Sequence, residues 1–236
     1  MEHQWIFAGF AALTIGSYFF LFNEFKKAAA LTNWVESKRK KFLSILALSL
    51  IGWIVFVSIW SLSGRIGNFS IFPLNLIPIL AIPLITIIAF TFSKTAKEIL
   101  VRIPTQNILR LQSFRFFVEL LLFALFVENV APIQMTFDGR NFDVISGITA
   151  PIIAFLYTKG KISKFILVVW NLTCLALLIN IVAIAILSMP TPLRVFMNEP
   201  SNTIVTVFPV SWLPGLLVPL AYGLHFLSLR QLSLKN

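Results

Sequence analysis

Charge is scarce in this sequence. Only 12% of its 236 residues are Asp, Glu, Lys or Arg, about half of what a soluble domain carries, and 58% are hydrophobic. A chain so poor in charge cannot have water as its main solvent. Cysteine is nearly absent: Cys174 stands alone inside an apolar run, which excludes a disulfide framework or a thiolate metal cluster within one chain and leaves it as a small core residue. Histidine is limited to His3 and His225, which excludes bis-histidine haem ligation and a multi-histidine metal site. No Walker loop, GxSxG elbow or HExxH motif occurs. The last apolar segment has no lysine to carry a retinal Schiff base. No cofactor and no metal are expected, and enzymatic activity is the less favoured reading.

Long apolar runs are what the sequence has instead. They fall at about 4–22, 42–62, 71–92, 107–129, 142–158, 164–189 and 204–229. A spanning helix takes about 20 largely apolar residues, so the pattern predicts an all-α integral membrane protein of seven transmembrane helices. These segments consume nearly the whole chain, and residues 1–236 read as a single membrane domain. The first run has neither a basic n-region nor a small-residue cleavage site and reads as a mature span, not a signal peptide.

Lys and Arg set the orientation. Lys26, Lys27, Lys38, Arg39, Lys40 and Lys41 follow the first segment, Lys94, Lys97 and Arg102 the third, Lys159, Lys161 and Lys164 the fifth, and Arg230 and Lys235 the seventh. Only Arg65, Arg140 and Arg194 fall on the other side. This bias predicts an extracytoplasmic N-terminus and a cytoplasmic C-terminus, in a bacterial inner membrane. The net charge of +10 sits at the ends of apolar runs, which points to anionic lipid headgroups as partners and not to nucleic acid. The stretch 93–105 sets Ile99, Leu100 and Ile103 against Lys94, Lys97 and Arg102, the pattern of a short helix lying at the interface, and 25–41 reads similarly with Trp34 at headgroup depth.

An internal repeat organises the segments. Phe72-Pro73 through Leu84 and Phe208-Pro209 through Leu220 both read F-P-x4-P-x4-P-L, offset by 136 residues. Both segments run from outside to inside. This predicts a parallel 3+1+3 pseudo-repeat: residues 1–92 as the first three helices, 93–130 as the interfacial helix plus the fourth, and 131–236 as the last three.

Polar residues within the spans are the candidate site. Arg115 and Glu119 lie mid-run in the fourth segment, where each would cost about 3 kcal/mol facing lipid. Their i,i+4 spacing predicts a pair on one helix face, extended by Gln112. The buried pair reads equally as a lock on the fourth helix or as the wall of a solute or proton pathway. The repeat aligns Asn75 with Ser211 and Thr86 with Tyr222, and His225 continues that stripe; the prolines free backbone carbonyls beside it. In the sixth segment Thr173 and Asn180 share a face and Asn171 points elsewhere. Outside, Arg140 and Arg194 are expected to form a loop network with Glu128, Asp138 and Glu199, with Asp143 in the same loop as a mouth residue or helix cap.

The 3+1+3 topology resembles that of SWEET-type sugar transporters and of the PnuC class of vitamin transporters. The resemblance covers topology alone and carries no residue. The stretches 140–143, 196–200 and 227–231 also look like those of uncharacterised bacterial membrane proteins. The leading expectation is a small-solute transporter or carrier with a polar pathway lined by the third, fourth and seventh helices. There, Arg115 binds an anionic or hydroxylated group and Glu119 or His225 couples a proton. A second reading is a non-transporting receptor or assembly subunit that binds a partner through the outer charged loops. A third is a lipid-modifying enzyme using Glu119, Asp138 or His225.

Overall fold

The computed structural model describes residues 3–234; Lys235, counted above with the basic ends, lies outside them. Among the described residues the secondary structure is entirely helical. The chain forms α1 (Gln4–Ala30), α2 (Glu36–Leu62), α3 (Ile77–Thr91), α4 (Lys94–Leu100), α5 (Thr105–Leu111), α6 (Phe114–Val127), α7 (Val144–Thr158), α8 (Lys164–Leu187) and α9 (Val218–Leu234). Among the described residues four helical stretches are long and apolar enough to cross a membrane: α1, α2, α8 and Leu213–Leu234. The pair α3 and α4, bent by 72° at a short break, makes a fifth if counted as one broken span, and α7 is a shorter apolar helix. The fold is that of a helical membrane protein.

The helices depart from the apolar runs in three places. First, α1 and α2 run well past their apolar cores, because lysine and glutamate are good helix formers and continue the backbone ladder beyond the hydrocarbon. Second, the run at 107–129 is two helices that meet at Gln112 and Ser113, where the backbone tightens into i→i−3 hydrogen bonds, Gln112 N–H to the Leu109 carbonyl and Ser113 N–H to the Arg110 carbonyl. No glycine or proline marks that break, and hydropathy is continuous across it. Third, the repeat segments do not begin as helices. The Phe72-Pro73 and Phe208-Pro209 bonds are both cis, short 3₁₀ turns precede them, and regular helix starts only at Ile77 and, as one π-helical turn over Leu213–Leu217, at Leu213.

The stretch read as an interfacial helix packs inward. Ser93 caps α4 by accepting from the Ala96 N–H at 3.0 Å, and Ala96, Ile99, Leu100 and Ile103 are buried in the protein core. Trp34 docks on the same element by donating its indole N–H to Glu98, so the α1–α2 connection is held against α4.

α9 sits at the centre of the bundle, packed against α3, α5 and α8, and its buried face takes in Leu220, Leu224, His225, Leu227, Ser228 and Gln231. By contrast α2 buries only Val57 and Ser61.

Candidate functional site

Where α6, α7, α8 and α9 converge, the structure assembles a buried polar cluster. Arg115, 2% exposed, extends from the first turn of α6. Its Nε donates to Asp143 Oδ2 at 2.7 Å, and its Nη2 donates to Asp143 Oδ1 and to the Cys174 carbonyl at 3.3 Å. Its Nη1 lies 2.7 Å from His225 Nε2. An arginine only donates, so His225 Nε2 accepts, the ring proton sits on Nδ1, and Nδ1–H donates to Asn171 Oδ1 at 2.9 Å. Asn171 in turn donates to Ser228 Oγ at 3.1 Å and to the Leu167 carbonyl at 2.8 Å. Every guanidinium nitrogen therefore has an acceptor, which is the condition for tolerating a buried charge.

The predicted Arg115–Glu119 pair does not form. A fork-to-fork contact with Asp143 satisfies the planar guanidinium with two near-parallel hydrogen bonds, which a carboxylate four residues along the same helix cannot offer. Nor does Asp143 lie in an outer loop network: it is 4% exposed, at the start of α7, facing inward. Two local features bring it there. Asn141 Oδ1 accepts from the Asp143 N–H at 3.1 Å, turning the chain into the helix, and Ser146 Oγ donates to Asp143 Oδ1 at 3.2 Å. One turn further on, Gly147 lets α7 lie directly on the start of α6: a Cβ there would stand 2.2 Å from the Phe116 backbone nitrogen. Pro151, four residues later, has no N–H for the Gly147 carbonyl, which further loosens the ladder at that contact.

Glu119, 2% exposed, does not touch Arg115 and joins the edge of the cluster through Asn141, the residue that also holds the Asp143 N–H. Its Oε2 accepts from Asn141 Nδ2 at 2.6 Å, and Asn141 also donates to the Met135 carbonyl at 2.9 Å. Oε1 has no hydrogen-bond partner among the described residues. Glu119 instead borders a cavity of about 70 Å³. The cavity lies between α3 (Ile79, Leu80), α6 (Val118, Glu119, Leu122), α8 (Leu178, Ile181) and the π turn ahead of α9 (Leu213, Pro214). Apart from the Glu119 and Asp143 carboxyl groups its lining is aliphatic side chains, two methionines and a proline.

The other expected residues do not line this cavity. Asn75 is buried and donates to the Ile66 carbonyl at 2.8 Å, and the buried Ser211 hydroxyl has no hydrogen-bond partner among the described residues. Gln112 donates to the Ala221 carbonyl at 3.3 Å, and Tyr222 is half-buried against Phe226. The carbonyl that Pro219 frees at Gly215 is taken by the Trp53 indole at 2.8 Å, and the Leu216 carbonyl accepts from the Tyr18 hydroxyl at 3.3 Å. Those freed groups hold helices together and do not face the cavity.

The expected outer network is dispersed. Arg194 binds Glu199 at 2.9 Å and donates to the Phe196 and Asn198 carbonyls, forming one self-contained loop. Arg140 lies over the Phe196 ring at 5.3 Å, Glu128 pairs with His3 at 3.7 Å, and no ion pair joins these to Asp138. In α8, Asn171 is buried and faces inward, while Thr173 is exposed and the half-buried Asn180 donates to the Arg140 carbonyl at 3.0 Å. Residues without a sequence signal complete the outer end: Gln134 donates to Ser188 Oγ at 2.9 Å and accepts from Asn198 Nδ2 at 2.9 Å.

With this geometry in view, comparison with known families is informative. The model of the family described as a domain of unknown function, DUF8737, matches residues 71–233, well over half of the chain. The chain belongs to that family. No curated protein matches it, and neither does any solved structure. The family region starts just ahead of the Phe72-Pro73 turn and contains the whole Arg115 cluster and every residue named around the cavity, while α1 and α2 lie outside it.

Proposed function

We propose that this protein is a small-solute carrier whose solute occupies the cavity between α3, α6, α8 and the turn that opens α9. The observation that carries this reading is Glu119: buried within an apolar segment, with one carboxyl oxygen unpartnered among the described residues, and lining the cavity. A carboxyl with a purely structural role would be expected to have both oxygens satisfied, as Asp143 has. Arg115 takes a different part from the solute-binding one expected of it. Bound to Asp143 and His225, it is the hub that fixes α6, α7 and α9 around the cavity.

The carrier is read as seven spans with an outside N-terminus in a bacterial inner membrane. α5 with α6 makes one broken span, α3 with α4 another, and α7 is a short one of about 22 Å. The positive residues at the ends of α1, α3, α7 and α9 support that orientation. Parallel halves are supported by equivalent turns: the Leu76 N–H donates to the Pro73 carbonyl and the Trp212 N–H to the Pro209 carbonyl, each at 3.0 Å and 136 residues apart, ahead of helices that begin at the matched positions 77 and 213. A π turn at the cavity wall is a frequent companion of functional sites.

The test is uptake into proteoliposomes of a panel of small cationic, neutral and anionic solutes. Wild-type protein is expected to take up at least one class, and Glu119→Gln to lose it. Uptake that Glu119→Gln leaves unchanged would show that this cavity is not the route.

A further inference from the structure

We infer that the ligand of the Glu119 cavity is a small organic cation with hydrogen-bond donors, of the guanidinium or primary ammonium class. The inference rests on the carrier reading for the use of the cavity, but it concerns binding alone. Its basis is the inventory of the wall. The charged residues of the lining are Glu119 and Asp143, and it holds no cationic, amide or hydroxyl side chain, so a solute anion would meet no counter-charge. The one cation nearby, Arg115, is absent from the lining and is spent on Asp143, His225 and the Cys174 carbonyl.

The two carboxyl groups are not equivalent. Asp143 uses Oδ2 for Arg115 Nε and Oδ1 for Arg115 Nη2 and Ser146 Oγ, so its charge is already compensated. Glu119 receives a single amide hydrogen bond from Asn141 and has no basic partner, which leaves Oε1 as the open acceptor. An ionised carboxylate in an apolar wall is costly without a counter-charge, and a bound cation supplies one together with the missing donors. The remaining wall, from Ile79 and Leu80 across to Leu178 and Ile181, is suited to a short alkyl tail. Size sets the upper limit: about 70 Å³ is less than half of the roughly 150 Å³ that admits benzene in an engineered apolar cavity, so the ligand is smaller than a six-membered ring with substituents.

Methylguanidinium is a suitable probe, because it is permanently charged, carries donors and a short tail, and has N-methylurea as a near-isosteric neutral control. Thermal unfolding of the purified protein in detergent, at matched ionic strength, is expected to shift upward by several degrees with millimolar methylguanidinium, and not with N-methylurea or acetate. Glu119→Gln is expected to weaken that binding at least about tenfold. Ile181→Trp, which fills the cavity from α8 and leaves the carboxyl group in place, is expected to abolish it, and serves if Glu119→Gln does not fold. Equal shifts from methylguanidinium and N-methylurea, or a response untouched in both variants, would overturn the inference. If methylguanidinium does not bind while uptake of an anion or neutral solute depends on Glu119, the ligand class is wrong and the carrier reading stands. If it binds through Glu119 but is not carried across proteoliposomes, the class stands and the carrier reading fails.

Discussion

The second and last helices are built from similarly apolar sequence and are held in opposite ways. α2 buries only Val57 and Ser61 and lies outside the family region, whereas α9 is buried along most of its length and carries His225 into the charged centre. α2 attaches through neutral hydrogen bonds: Trp53 to the Gly215 carbonyl at 2.8 Å, Trp60 to the Asn75 carbonyl at 3.2 Å, Ser61 to the Thr206 carbonyl at 2.9 Å and, in return, Trp212 to Ser58 at 2.9 Å. Its stacked Trp53, Phe56 and Trp60 rings face the same way. The inner helices are joined by a bidentate ion pair, a histidine and two asparagines. In a bilayer, burying apolar surface between helices gains little over lipid, so neutral hydrogen bonds and close packing hold the periphery modestly, while an uncompensated charge at the centre is severe. The contrast predicts a graded response to mutation from the inside outward.

The largest effect is expected at the centre. Arg115→Ala leaves Asp143 buried without its partner and should destabilise by about 3–5 kcal/mol, read from thermal unfolding in detergent. The double variant Arg115→Met with Asp143→Leu should be less damaging than either single change, since it removes both charges together. If the double variant is as unstable as the sum of the singles, the pair is not the coupled unit described here. Next comes Gly147→Ala. Its methyl group would meet the Phe116 backbone nitrogen, and backbone cannot move aside as a side chain can, so the packing of α7 on α6 should loosen by about 1–3 kcal/mol. A neutral result would mean that this contact is not what brings Asp143 to Arg115.

At the periphery Trp53→Phe keeps an aromatic ring beside Phe56 and removes the indole donor to the Gly215 carbonyl together with part of the ring surface. About 1 kcal/mol is expected in the same measurement. A loss as large as that of Arg115→Ala would erase the distinction between the two regions. The smallest effect lies in the outer loop. The Arg194 side chain, followed by the Ser201 N–H, holds the Glu199 carboxyl below its ordinary value of 4.5. A group whose value is lower in the folded state adds stability that is present above its unfolded value and is lost as the pH falls through the folded one. The acid limb of the stability profile, below pH 4.5, should therefore flatten slightly in Glu199→Gln, as followed by tryptophan fluorescence. No change at neutral pH beyond that of an exposed pair is expected.

The sequence made the membrane class and the helical content legible, because 20-residue apolar runs and the distribution of Lys and Arg are properties of composition along the chain. It also pointed to Arg115, Glu119 and His225, since polar side chains within a span must meet protein or water. Their partners were not legible. Asp143 sits at the edge of an apolar run, where an acidic residue ordinarily reads as a loop or a cap; the Asn141 and Ser146 hydrogen bonds and the close approach allowed by Gly147 turn it inward. The break at Gln112 and Ser113 has no composition signal, so Gln112 reads as an extension of the Arg115 and Glu119 face, whereas it ends α5 and bonds the Ala221 carbonyl.

We propose that solute passes by way of the Glu119 cavity, with the Arg115 cluster holding its walls. The most direct measurement is solute flux in proteoliposomes with Ile181→Trp, which fills the cavity without replacing Arg115, Asp143 or His225. The account predicts that flux falls to the level of empty liposomes while thermal stability stays near that of the wild type. Flux equal to wild type with a filled cavity would contradict it.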